Sequence, residues 1–299
     1  MSKKMCFKKP TILTTIIASL IIALGLSTSL HAAQVTQPIE GTKLQAQASY
    51  LMGDKNKPAV LILHGFLTTN RFHTVVSMAE GMHSEDYTVL SPTLTLGINK
   101  RKGSIKCGSI HTHTLEKDIL EVKDWVDWLY QQGHKDIILL GHSSGSLELL
   151  EYMFTYNDER VKSVIFTSAF YLNGAELGII DKEIEIAQKL AKTPQKKPHK
   201  YNFLFCKNNY FATPESYLSY LKLTRNYVIK GISSLTVPSH TIMGQADKRY
   251  QSVGQNWLEE LESTGTNLIV VEGANHFFSS EHEFDLQDQI NNILNGLKL

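Results

Sequence analysis

The 299-residue sequence is poor in cysteine and carries almost no net charge. It has three cysteines, and its 30 Lys and Arg residues nearly balance 29 Asp and Glu residues, so the formal net charge is +1. Without a basic excess, the chain gives no indication of a nucleic-acid partner. After about Leu26 no apolar run is long enough to cross a bilayer, and internal repeats and low-complexity tracts are lacking as well. These absences leave a globular domain as the expected form of most of the chain.

The N-terminal residues 1–33 have the pattern of an export signal. Four lysines precede an apolar run from about Ile12 to Leu26, and small and polar residues follow this run. We therefore expect a cleaved signal peptide and an exported protein, either periplasmic or secreted. The alternative is an uncleaved N-terminal membrane anchor, although about 15 apolar residues is short for a span of roughly 20.

Residues 34–299 are numerous enough to form one large domain with an ample core. Because the signal holds four lysines and no acidic residue, this remainder has a formal net charge of −3. It contains two cysteines, Cys107 and Cys206. In an oxidising compartment such a pair favours a single disulfide, and the alternative is two separate buried thiols.

Short apolar runs alternate with helical patterns along most of the chain. This alternation predicts an α/β fold with a mainly parallel central sheet and helices on both faces. Apolar residues recur at helical spacing within 115–129 and within 286–297. The predicted strands span 44–52, as an edge strand or hairpin, and then 59–63, 88–91, 137–140, 164–167, 241–243 and 268–271.

From about residue 171 to residue 234 the alternation stops. A helical insertion rich in lysine and aromatic residues is predicted there, and we expect it to be a lid. Nine aromatic residues fall between Phe170 and Tyr220. Most are expected to pack the insertion onto the sheet, and the alternative is that several line an apolar substrate cleft under the lid.

The most informative motif is Gly-His-Ser-Ser-Gly at residues 141–145. It follows the predicted strand 137–140 and opens an amphipathic helix. A serine between two glycines at such a turn is typical of a nucleophile elbow, which exposes the serine Oγ above the sheet. The pattern alone arises by chance in roughly one in ten chains of this length. The alternative is a serine that only caps the helix, but the flanking elements favour Ser143 as a nucleophile.

A serine nucleophile needs a histidine to take its proton and a carboxylate to orient that histidine. Asp247 follows the predicted strand 241–243, and His276 follows the predicted strand 268–271. The carboxyl ends of neighbouring parallel strands are where such folds place functional residues. We therefore expect His276 to be the base and Asp247 its acid. The alternative for Asp247 is that it only caps a helix. The alternative for His276 is that it is one of twelve histidines and follows a strand by chance.

Catalysis by such a serine also needs two backbone N–H groups that stabilise the oxyanion of the tetrahedral intermediate. One is expected from Ser144, directly after the nucleophile. The other is expected from Phe66, in the His64-Gly65-Phe66 segment after the predicted strand 59–63. His64 is expected to support this loop. The alternative for Phe66 is that its ring projects over the acyl pocket.

Together these motifs resemble the serine α/β-hydrolases of the lipase and esterase superfamily, over approximately residues 44–297. The resemblance implies an α/β-hydrolase fold with a helical lid, an acyl-enzyme on Ser143 and hydrolysis of a carboxylic ester without a cofactor. The substrate is expected to be a small-molecule or lipid-like ester with a medium-sized, largely apolar part. The chain departs from some esterases, because His-Gly-Phe-Leu stands in place of a His-Gly-Gly-Gly run.

Other activities are compatible with the same three side chains. A peptidase or a thioesterase is possible on this scaffold, although export argues against acyl-CoA as the substrate. A non-catalytic binding protein with a hydrolase-like cleft is the alternative outside enzymes. His111 and His113 could begin a metal site, but no further ligand cluster follows at a recognisable spacing, so no metal is expected.

Overall fold

A computed structural model describes residues 32–254 and 256–297. Its main feature is an eight-stranded sheet, in which the first two neighbour pairs are antiparallel and the others parallel. The mainly parallel sheet predicted from the alternation is therefore confirmed. From one edge to the other the strands are β1 (Ala33–Pro38), β2 (Gln45–Leu51), β4 (Thr88–Thr93), β3 (Ala59–Leu63), β5 (Ile137–His142), β6 (Val161–Thr167), β9 (Ser239–Gly244) and β10 (Asn267–Val271).

Helices cover both faces of this sheet. The helices of the described residues are α1 (His73–Ser84), α2 (Leu115–Gln131), α3 (Ser144–Tyr156), α4 (Asp181–Ala191), α5 (Pro214–Tyr220), α6 (Arg225–Ser233), α7 (Lys248–Val253), α8 (Asn256–Ser263) and α9 (His282–Gly296). Of these, α2 and α3 pack on one face, and α1 and α9 pack on the other.

Two apolar cores result. In β3, Leu61 and Leu63 belong to the core that contains α2 and α3, whereas Val60 and Ile62 belong to the core that contains α1 and α9. Burial on both faces explains why the central strands are continuous apolar runs in the sequence.

The N-terminal strands differ in one respect from the expectation for 44–52. That segment forms β2, which lies inside the sheet, because β1 pairs on its outer side and completes a hairpin. Apart from Ala32 and Ala33, the export signal predicted for residues 1–33 lies outside the described residues. Across 32–254 and 256–297, the chain forms no helix with the length and apolar character needed to cross a membrane.

The segment between β6 and β9 is more mixed than the helical insertion predicted for 171–234. It contains α4, α5 and α6, and also a short antiparallel pair, β7 (His199–Tyr201) with β8 (Tyr210–Ala212). Of the nine aromatic residues noted in the sequence, all but Phe205 and Phe211 are buried. Most of them therefore pack the segment onto the rest of the domain, as expected.

A disulfide joins this segment to the loop between β4 and α2. Cys107 and Cys206 are bonded, with their Cα atoms 5.5 Å apart. Backbone hydrogen bonds run alongside the bridge: the N–H of His111 donates to the carbonyl of Phe211 at 2.8 Å, and the N–H of Phe211 donates to the carbonyl of Cys107 at 3.1 Å. The pairing is the one that the sequence favours, and it ties two loops that lie 99 residues apart.

Candidate active site

Ser143 lies alone between the end of β5 at His142 and the start of α3 at Ser144. Its backbone angles, φ 57° and ψ −124°, belong to a region that side chains other than glycine rarely adopt. The N–H of Ser143 donates to the carbonyl of Thr167 on β6 at 2.8 Å, which holds the turn in this conformation. The result is a strained strand-to-helix turn with a serine at its apex.

The two glycines of the motif are required by close backbone approach. A Cβ at Gly141 would lie 2.5 Å from Cα of Ser146, in the first turn of α3. A Cβ at Gly145 would lie 2.5 Å from the carbonyl oxygen of His64 and 2.6 Å from that of Leu63. The glycines therefore allow α3 to start directly against the ends of β3 and β5.

Ser143, His276 and Asp247 form one hydrogen-bonded line. Nε2 of His276 is 3.0 Å from Oγ of Ser143, and Nδ1 of His276 is 2.6 Å from Oδ2 of Asp247. A carboxylate only accepts, so Nδ1 carries the proton and donates it to Asp247, while Nε2 is the acceptor that faces Ser143. This is the order of side chains that transfers a proton from a serine to a histidine.

The loops after β9 and β10 bring the acid and the base together. A Cβ at Gly244 would lie 2.4 Å from the carbonyl oxygen of Ala274, so the two loops touch through backbone. Asp247 is fully buried and caps α7. The hydroxyl of Ser168 donates to the carbonyl of His276 at 2.8 Å, which fixes the histidine backbone as well.

Burial lowers the pKa of His276, which is 5% exposed. The nearby positive charge of Arg249 lowers this pKa further, and the hydrogen bond to Asp247 opposes the shift. The net direction favours the neutral imidazole, which is the form that can accept a proton.

The loop after β3 lies against the serine. A Cβ at Gly65 would be 3.2 Å from Cβ of Ser143. Within residues 32–254 and 256–297, neither the N–H of Phe66 nor the N–H of Ser144 donates a hydrogen bond to backbone or side chain. The ring of Phe66 packs edge-on against Phe203 and Phe205, with centroids 5.3 and 5.5 Å away.

His64 supports this loop, and both of its ring nitrogens form hydrogen bonds with backbone groups. Its Nε2 accepts the N–H of Leu94 at 3.1 Å, so its Nδ1 is the protonated nitrogen and donates to the carbonyl of Gly65 at 2.8 Å. Burial, with the Arg101 charge beside it, lowers the pKa of His64 to about 3. A neutral histidine with both nitrogens bonded is a structural residue, as expected from the sequence.

The two histidines considered as metal ligands have protein partners. Nδ1 of His113 is 3.1 Å from Asp118 and 2.7 Å from the hydroxyl of Tyr220, and the ring of His111 stacks on Tyr210 at 4.5 Å. No cluster of three or more candidate metal-ligand side chains occurs in the part of the chain that the structure describes.

Sequence comparison relates the chain to a known family. The family model described as the alpha/beta hydrolase family matches residues 60–286, which is most of the chain. The chain belongs to the alpha/beta hydrolase family. No curated protein sequence matches this alpha/beta hydrolase.

Solved structures agree with this assignment at the level of the fold. Est1E from Butyrivibrio proteoclasticus has a TM-score of 0.58 at 17% identity, with 88% of this chain and 98% of that chain covered. A thermophilic esterase from Thermogutta terrifontis has a TM-score of 0.58 at 15% identity, with coverages of 88% and 98%. A monoacylglycerol lipase from Paleococcus ferrophilus has a TM-score of 0.59 at 14% identity, with coverages of 83% and 98%. The α/β-hydrolase fold predicted from the sequence is confirmed.

A cavity of about 340 Å³ opens at the nucleophile of this alpha/beta hydrolase. Its volume lies in the range of small-molecule sites. Four phenylalanines and the buried His142 supply much of its wall, and one of the four, Phe205, belongs to the segment between β6 and β9. The residues that line it are Gly65, Phe66, Thr68, Phe72, His142, Ser143, Phe205, Arg249 and Phe277.

Arg249 is a site residue that the sequence reasoning missed. Its Nη1 lies 3.1 Å from Nε2 of His276 and 3.5 Å from Oγ of Ser143. The available signal was weak: an arginine two positions after the candidate acid Asp247, in the first turn of a short helix. Nothing in the local sequence shows that this turn aims the guanidinium back at the serine.

Proposed function

We propose that this alpha/beta hydrolase is a serine hydrolase that cleaves a carboxylic ester through an acyl-enzyme on Ser143. The observation that carries the proposal is the position of His276, whose two ring nitrogens lie 3.0 Å from Ser143 Oγ and 2.6 Å from Asp247 Oδ2. Among the solved structures that share the fold, two are titled as an esterase and a monoacylglycerol lipase. Those names support the choice of an ester as the substrate class.

In the proposed reaction, Ser143 Oγ attacks the ester carbonyl carbon while Nε2 of His276 takes the hydroxyl proton. The N–H groups of Phe66 and Ser144 bind the oxyanion of the tetrahedral intermediate, and Asp247 stabilises the imidazolium. Collapse of the intermediate breaks the bond to the alcohol, which receives the proton from His276. Water then attacks the acyl-enzyme with His276 as base. The carboxylic acid is released, and the hydroxyl of Ser143 is regenerated.

The cavity at Ser143 supports a substrate with a medium-sized, largely apolar part. Its phenylalanine rings offer apolar surface, and its volume suits a small acyl or alcohol group. The proposal includes a lid role for residues 171–234, because Phe205 of this segment lines the cavity. No metal or cofactor takes part in the proposed steps.

Turnover of p-nitrophenyl esters tests the proposal. The measurement is kcat/KM for acyl chains of two to eight carbons, with the Ser143→Ala variant beside the wild-type protein. Loss of the nucleophile is expected to lower kcat by at least about 1,000-fold. Ser84→Ala, an exposed serine on α1, is the matched control and should keep wild-type rates. Equal turnover by wild-type protein and Ser143→Ala would contradict the nucleophile assignment.

The same assay separates the other candidate activities. A thioesterase would turn over acyl thioesters faster than the matched oxygen esters, and a peptidase would cleave aminoacyl p-nitroanilides. One structure with the same fold is titled as a thioesterase domain, at 14% identity and a TM-score of 0.59. A folded protein that hydrolyses none of these substrates would favour the non-catalytic binding protein.

We also propose that residues 1–33 direct export and are removed. The lysines and apolar run at the N-terminus support this, and so does the Cys107–Cys206 disulfide, because such bonds persist in oxidising compartments. N-terminal sequencing of the full chain expressed in a bacterial host is expected to find mature protein that starts near residue 34. Recovery of an intact Met1 in the membrane fraction would instead support the N-terminal anchor.

A further inference from the structure

The positive charge of Arg249 lies beside the two atoms between which the proposed proton transfer takes place. Its Nη1 is 3.1 Å from Nε2 of His276 and 3.5 Å from Oγ of Ser143. A neutral imidazole has a single acceptor nitrogen, so the guanidinium and the serine hydroxyl compete for the same lone pair. An arginine is charged at every physiological pH, so this competition is permanent in the unliganded protein.

No carboxylate in the described part of the chain forms a salt bridge with this guanidinium. Arg225 does pair with Glu260 at 2.7 Å and Arg160 with Asp127 at 2.7 Å, whereas the buried Arg101 donates to backbone carbonyls instead. Arg249 is thus a cation with limited access to water and no direct counter-ion among residues 32–254 and 256–297.

Asp247 and the cavity-lining Glu176 have other hydrogen-bond partners. Asp247 accepts the imidazole N–H on one oxygen and the backbone N–H of Arg249 on the other, at 2.8 Å. Glu176, which lines the adjoining cavity, accepts the hydroxyl of Tyr171. The guanidinium itself is held by aromatic faces, with Phe170, Phe205 and Phe277 rings 5.7 to 6.0 Å from its central carbon.

Arg249 also stands between two cavities. It lines the 340 Å³ cavity at Ser143 and a second cavity of about 290 Å³, which Phe205 lines as well. The second cavity includes Lys207, another cation. A substrate bound at Ser143 therefore lies beside a positively charged group.

We infer that Arg249 is a specificity-determining residue that binds an anionic group of the substrate, most simply a carboxylate, close to the scissile ester. The inference rests on the proposed ester hydrolysis. A carboxylate bonded to Nη1 at about 2.8 Å lies within about 6 Å of Ser143 Oγ. This distance corresponds to a spacer of about two to four carbon atoms between the carboxylate and the scissile carbonyl. Half-esters of short dicarboxylic acids have this geometry.

Binding of such a substrate would also release the base. When the guanidinium turns to the carboxylate, the acceptor nitrogen of His276 is left to the hydroxyl of Ser143 alone. An anionic ester would thereby be favoured in two ways, by its affinity for Arg249 and by the freed base. A neutral ester of the same shape would have neither the added affinity for Arg249 nor the freed base.

The test compares 4-nitrophenyl hydrogen glutarate with its neutral methyl ester, with rates corrected for spontaneous hydrolysis. Wild-type protein is expected to prefer the anionic ester in kcat/KM by about 10- to 100-fold. Arg249→Met keeps the apolar stem and should abolish this preference, so that kcat/KM becomes equal for the two esters. Arg249→Lys should retain part of it, and Lys248→Met, an exposed cation on the same helix, should retain all of it. Thermal unfolding of each variant confirms that it is folded.

Binding of glutarate to the Ser143→Ala variant, by calorimetry, separates the two proposals. Binding that disappears in Ser143→Ala/Arg249→Met supports the anion site even if no ester is hydrolysed, in which case only the proposed function fails. Hydrolysis of both esters at equal rates, without glutarate binding, would overturn the anion site and leave the hydrolase intact. Absence of both hydrolysis and binding would overturn both.

Discussion

Ser143 owes its conformation to the residues on either side of it. Its φ of 57° is held by the hydrogen bond to Thr167, and the flanking glycines let three backbone segments meet. The glycines that this packing requires stand within two residues of the serine, which is why the motif could be recognised in the sequence. Asp247 and His276 could be placed for a related reason, because each follows an apolar strand by a few residues.

Arg249 could not be placed in the same way. Its contact with His276 depends on where α7 lies relative to the end of β10. That position is set by the close approach of Gly244 and Ala274, which is a tertiary contact. Site residues that follow strands can thus be predicted from the sequence. A site residue on a neighbouring helix, such as Arg249, is identified only from the structure.

Substitution at Gly145 tests the close packing of the elbow. In Gly145→Ala, the new Cβ would be placed 2.5 Å from the carbonyl oxygen of His64, so the loop after β3 must move. We expect a loss of about 1–3 kcal/mol in the free energy of unfolding and a fall in kcat. Urea denaturation and ester turnover measure these two effects. Gly103→Ala is the control, since nothing other than its own chain neighbours lies within 4 Å of its added Cβ. Unchanged stability and turnover in Gly145→Ala would refute the packing argument.

The pH dependence of kcat/KM reports on His276. The proposed base works only when neutral, so activity falls as pH drops through its pKa. Burial and the Arg249 charge both lower this pKa, so the acid limb for a neutral ester should have its midpoint below the ordinary value of about 6.5.

In Arg249→Met one of the two lowering influences is removed, so the midpoint should move to higher pH. Lys248→Met, with an exposed charge, should leave it in place. A wild-type midpoint above 6.5, or one that does not respond to Arg249→Met, would be inconsistent with this account of the base.

Among the elements, seven of the eight strands of the main sheet were predictable, including the edge strand β10, whereas β1, β7, β8 and helix α1 were not. Strands β3, β5 and β6 are buried on both faces and so appear as apolar runs. Helix α1 did not stand out, because Thr74, Ser77 and Gly81 are among its buried residues and weaken the apolar period. Strand β1 is mostly exposed at the sheet edge and lacks an apolar run, and β7 and β8 have only three residues each.

The Cys107–Cys206 disulfide links two of these less regular segments. Because it closes a loop of 99 residues, its loss in Cys107→Ala/Cys206→Ala is expected to cost about 2–5 kcal/mol in the free energy of unfolding. Urea denaturation with and without a reductant measures this. The reductant should shift the wild-type midpoint to that of the double variant and should not affect the variant. Identical wild-type midpoints in both conditions would show that the bond does not contribute.

The bridge also bears on the cavity, because Phe205 lies next to Cys206 and packs against Phe66. The double variant should therefore show a raised KM for esters, with a smaller change in kcat. A change confined to kcat would indicate that the bridge acts on the elbow instead.

At the scale of the whole molecule, the sheet brings distant parts of the chain to one edge. Ser143 follows β5, Asp247 follows β9 and His276 follows β10, and all three strands are parallel. The carboxyl ends of parallel strands meet at one edge, which is how side chains 133 residues apart come within hydrogen-bond distance. The mainly parallel direction of the strands was predictable from the alternation of apolar runs and helical patterns. Strand β1 and the mixed segment between β6 and β9 emerged only in the structure.

The most direct test of the central claim is covalent labelling with a fluorophosphonate, followed by mass spectrometry of the modified peptide. The account predicts one adduct per chain, on Ser143, with a labelling rate strongly reduced in His276→Ala and Asp247→Asn and unchanged in Ser84→Ala. A folded protein that stays unlabelled, or that carries the adduct on another residue, would contradict Ser143 as the nucleophile.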